Sequence, residues 1–138
     1  FAEYHRYVQT TVESHNGAVH STAGDGVMCL FPSAQDAVDA GIALYGALPD
    51  FNRETNRLAA PFTLRGGAHT GPVVIDEAGR VSEMFSAALD ITGHLQKQAE
   101  PDRFEISHET WNAISNADCF AATGREVDGV DVYRYSPE

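Results

Sequence analysis

An α+β domain with a largely antiparallel sheet covered by helices is the fold class that this sequence predicts, on three observations. Apolar stripes at helical spacing alternate with short strand-like runs. Glycine-rich turns each separate a pair of such runs. No repeat, low-complexity tract or interdomain linker interrupts the 138 residues. In order, Phe1, Tyr4, Val8 and Val12 recur every three or four residues, the stripe of an amphipathic helix over residues 1–16 that Asn16-Gly17 should close, because both residues take the left-handed cap. Ala18 to Thr22 and Val27 to Phe31 read as strands joined by Gly24-Asp25-Gly26, a tight hairpin turn. Pro32 stops the second strand. Ser33 can cap a helix whose stripe is Ala37, Val38, Gly41, Leu44, Tyr45 and Leu48, with Asp36 in its first turn and Pro49 with the polar run 50–57 marking where it weakens or ends. A second hairpin is expected from Phe62–Thr70 and Val73–Ile75 around Gly71-Pro72, then a helix Met84–Gln98 with Phe85, Leu89 and Leu95 inward. Phe104–Ile106 is a short strand, Ser107 or His108 opens a short helix through Ile114, and Cys119–Ala122 with Val130–Tyr135 form the last hairpin. Trp111 is expected to pack the short helix against the sheet.

Charge and composition exclude several roles. Nine Lys and Arg against twenty Asp and Glu give a formal charge of −11, which repels a nucleic acid duplex and an anionic membrane surface alike. Cys29 and Cys119 sit in apolar runs with no Cys-x-x-Cys spacing, so neither a disulfide framework nor a zinc site is suggested, and a reducing, cytoplasmic setting is the expectation. No apolar run approaches the roughly 18 residues of a membrane span, so this domain is expected to make no membrane contact. The chain opens at Phe1, inside a helix already under way, as a fragment would.

Asp25 is the first candidate for chemistry. A carboxylate at a hairpin tip between two glycines suits a divalent cation carrying a nucleoside triphosphate, although Asp-Gly is also simply a favoured turn. His20, His69 and His94 lie on separate elements, which favours packing or solvent contact over a metal cluster.

The stretch Gly17-Ala-Val-His-Ser-Thr-Ala-Gly-Asp-Gly-Val-Met-Cys-Leu-Phe31 resembles the segment of class III adenylate and guanylate cyclases that reads gly-x-x-x-Lys-x-x-Gly-Asp-gly-x-met-x-x-Phe. Arg65-Gly-Gly-Ala-His-Thr-Gly-Pro-Val-Val74 is similar to that family's Arg-ile-gly-ile-his-x-Gly stretch, and Ala88-Leu-Asp-Ile-Thr-Gly-His-Leu-Gln96 to its val-Asn-x-ala-x-Arg-Leu helix. The resemblance covers nearly the whole chain with spacing kept between blocks. It implies a ferredoxin-like sandwich in which residues 1–138 form a single cyclase-homology domain lacking its first strand. Two such domains pair head to tail, as a homodimer or a heterodimer with another cyclase domain, around ATP or GTP and Mg or Mn ions. Asp25 matches the second of the two metal-binding aspartates; the first belongs to the opening strand, upstream of Phe1.

Other family positions depart from the pattern. The purine-reading lysine falls on Ser21 and the second purine-reading position on Glu83, while the catalytic asparagine and arginine of the helix fall on Asp90 and His94. The late phosphate-binding lysine belongs near Arg125 or Asp128. Asp90 and His94, four apart on one helix face, equally fit a local ion pair. With a lysine replaced by a hydroxyl, an asparagine by a carboxylate and an arginine by a histidine, the resemblance implies a catalytically degenerate domain that acts as a regulatory or dimerising module. The alternative is an active adenylate or guanylate cyclase with a divergent or partner-completed site. A diguanylate cyclase is disfavoured, because Ala23-Gly24-Asp25-Gly26-Val27 lacks the acidic-aromatic half of that hairpin.

Overall fold

The computed structural model describes residues 2–23, 26–54, 65–70, 87–99 and 103–136. They belong to two compact units, Phe1–Leu64 and Arg65–Glu138.

In the first unit, helix α1 (Ala2–Ser14) buries Val8 and Val12, two members of the expected stripe. It ends on Asn16 at φ 67°, with the Asn16 N–H on the Glu13 carbonyl and the Gly17 N–H on the Val12 carbonyl at 2.9 Å. That is a Schellman closure with asparagine in the left-handed position, and it satisfies two carbonyls that the helix end would otherwise strand. Strands β1 (Ala18–Ala23) and β2 (Gly26–Leu30) pair antiparallel from Ala18↔Leu30 to Ala23↔Gly26, with a register shift between Val19 and Ser21. Ser33 Oγ accepts the Asp36 N–H at 3.1 Å and so caps α2 (Ala34–Glu54), whose Val38 and Ala40 are buried. The Tyr7 hydroxyl donates to the Leu44 carbonyl, tying α1 to α2. Helix α2 runs through Pro49 and ends at Glu54, within the polar run 50–57 where the sequence places its end. Proline removes one donor, but a helix already propagated over fifteen residues gains a bond with each further one and can carry the gap.

The second unit is a four-stranded sheet in the order β3-β4-β6-β5. Strand β3 (Arg65–Ala68) runs parallel to β4 (Arg103–Ser107), whereas β6 (Val130–Tyr135) is antiparallel to both β4 and β5 (Phe120–Val127). Helix α3 (Ala87–Gln98) covers one face, where Leu95 packs with Val127, Val132 and Ile91. A Cβ on Gly67 would stand 2.8 Å from both the Gln96 nitrogen and Leu95 Cβ, so glycine at that position sets how closely α3 lies on the sheet.

Two boundaries differ from the sequence reading. The short helix α4 (His108–Trp111), capped by Ser107, stops well before Ile114, because the Asn112 N–H already closes it on the His108 carbonyl. Strand β5 extends beyond Ala122 to Val127, since Gly124 at φ +78° absorbs a register shift between Ala122 and Glu126 as a bulge. Asp128 (φ 52°) and Gly129 (φ 79°) then form the left-handed pair of a tight hairpin turn. Of the expected second hairpin, Arg65–Ala68 is a strand, and residues 71–86 lie outside the described residues.

Candidate functional site

Helix α3 and the β5–β6 turn bring two of the sequence-selected positions together. His94 Nδ1 lies 2.5 Å from Asp128 Oδ2, with side chains 49% and 39% exposed. The contact links the position matched to the family arginine with one of the two places where the late lysine was sought. The other place, Arg125, is committed elsewhere. Its Nη2 meets Glu105 Oε1 at 2.6 Å and its Nη1 donates to the Gln98 carbonyl at 3.3 Å.

Glu105 is the residue that the sequence reading missed. It is 1% exposed in the middle of β4, and its second oxygen takes Arg134 through Nη2 at 2.9 Å and Nε at 3.0 Å. A buried carboxylate requires such partners, since desolvation of an unpaired charge costs several kcal/mol. The signal was available in the sequence. Phe104-Glu105-Ile106 alternates, so the glutamate faces opposite to its apolar neighbours, and a lone carboxylate on a covered strand face calls for cations on the strands beside it.

The remaining candidates divide by position. Ser21 is exposed on β1, opposite Met28 in register, with its Oγ 3.2 Å from His20 Nδ1. Asp90 lies on α3, but its side chain is outside the described residues, as are Asp25, Glu83, Met84 and Phe85. The strands flanking Asp25 are paired up to Ala23↔Gly26. His69 and His94 are each engaged in a different contact, and among the described residues no group of three or more His, Cys, Asp or Glu could hold a metal ion.

His69 closes a small polar network where β3 and β4 end. Its Nδ1 is 2.7 Å from Ser107 Oγ, the Thr110 N–H caps onto that same oxygen, and Thr110 Oγ1 meets Thr70 Oγ1 at 2.8 Å. Burial lowers the His69 pKa from the ordinary imidazole value, and the nearby Glu109 carboxylate opposes that shift only in part. Burial likewise pushes the Cys29 thiol up to about 11, which leaves it protonated and a poor nucleophile at neutral pH. Trp111 stacks on Tyr133 with ring centroids 4.5 Å apart and its Nε1 donates to the Ala117 carbonyl at 3.0 Å, so it packs α4 on the sheet as expected.

No family model matches the chain. It is 26% identical over 144 residues to a Rhizobium meliloti (strain 1021) protein named "Putative adenylate cyclase 3", covering 99% of this chain and 24% of that protein. The chain thus spans about a quarter of the length of that curated relative. Among solved structures, it is similar to the adenylate/guanylate cyclase/hydrolase from Silicibacter pomeroyi, with a TM-score of 0.78 and 20% identity over 99% of this chain and 83% of that one. It is equally similar to the adenylyl cyclase CyaB from P. aeruginosa, with a TM-score of 0.78 and 18% identity over 99% and 80% of the two chains. These likenesses show the class III nucleotide cyclase fold.

Proposed function

Starting from that fold, we propose that this chain is a nucleotide cyclase-like domain of cyclic-nucleotide signalling in the cytoplasm, catalytically degenerate, that works by pairing with a second copy or with an intact cyclase domain. One observation carries the reading: the side chains that stand at the family's phosphate-facing positions of the second unit are committed to carboxylates of the chain itself. His94 is held by Asp128 and Arg125 by Glu105. A cation about 4 Å from a phosphate is worth about 4 kcal/mol at an effective dielectric near 20, and a carboxylate in its place adds repulsion. Ser21 offers a hydroxyl where the family pattern has a purine-reading lysine.

Mg or Mn would be held by Asp25 together with nucleotide phosphates, and it would polarise those phosphates in a working site. Such an ion ordinarily takes one or two carboxylates plus substrate phosphates, and Asp25 would be the one carboxylate offered here. ATP or GTP binding is accordingly expected to be weak. The second reading, an active cyclase completed by a partner protomer, draws on the 26% identity with a protein named as an adenylate cyclase.

The test is turnover. The purified domain, extended to include the upstream strand that the resemblance implies, is incubated with ATP or GTP and Mn, alone and mixed with an active class III cyclase domain. No product above the background of the added domain is expected. Cyclic nucleotide formed by the chain alone and abolished by Asp25→Ala would overturn the degenerate reading, and product formed only in the mixture and lost with Asp25→Ala would favour the partner-completed one. Calorimetry with magnesium and a non-hydrolysable ATP analogue should show no saturable binding at sub-millimolar concentration.

A further inference from the structure

We draw no further inference here: the strongest candidate, the cleft between α4 and the β5–β6 turn that His108, Glu109, Glu126 and Asp131 line, is a cluster of exposed acidic side chains beside one histidine, and nothing else among the described residues points to a ligand that would fill it.

Discussion

Glu105 shows what a single charge demands of this fold. Buried on β4 and shared by Arg125 and Arg134, it is a carboxylate whose removal takes an ion-pair partner from two cations at once. Glu105→Gln should cost about 3 kcal/mol, the lower end for breaking a buried ion pair because both arginines retain some contact with water. Urea denaturation followed by circular dichroism checks this; a shift below about 1 kcal/mol would mean that the cluster is dispensable. His69 yields a pH prediction of definite sign. Burial lowers its pKa, so the folded chain takes up that proton less readily than the unfolded chain. The stability conferred by the neutral ring is present above the unfolded value of about 6.5, is lost as the pH falls through it, and levels off below the folded pKa. Between about pH 7.5 and pH 5.5 the urea midpoint of the parent chain should therefore fall further than that of His69→Gln, which can still bond Ser107 but does not titrate. Equal falls would remove His69 as the cause.

At the scale of elements, close approach is what the second unit depends on. Gly67→Ala would press a methyl group against the backbone of α3 at Gln96, and a helix backbone cannot rotate aside as a side chain can. A loss of about 1–3 kcal/mol is expected, with α3 displaced from β3. Thermal unfolding of the variant measures it, and an unchanged midpoint would show that α3 has slack. Two helix starts were readable from local chemistry: the Ser33 and Ser107 caps are each specified within a few residues. Element ends were less so. The early stop of α4 and the extension of β5 past Gly124 depend on a capping bond and a bulge, and neither leaves an apolar period. The candidate site was legible as positions and not as partners. His94 could be selected by its place in the helix stretch that resembles the family's, but its contact with Asp128 spans 34 residues of sequence, and the Glu105 cluster joins three strands.

For the whole molecule, the charge of −11 sets the terms of association. Two copies repel through space, but at about 0.15 M salt the screening length is roughly 8 Å, so an apolar contact can prevail. We expect pairing at tens of micromolar that strengthens as salt is raised, either with itself or with an intact cyclase domain. Sedimentation velocity at low and high salt tests this, and a strictly monomeric chain under both conditions, with and without such a partner, would remove dimerisation from the proposed role.

The stack of Trp111 on Tyr133 has an optical consequence. The sequence holds one tryptophan, and it sits in the second unit, so intrinsic indole emission is a private signal of residues 65–138, whereas far-ultraviolet dichroism sums the helices of both units. Superimposable melting curves from the two probes would mark the chain as one cooperative body. Curves that part company would let the stability of each half be read separately from a single sample.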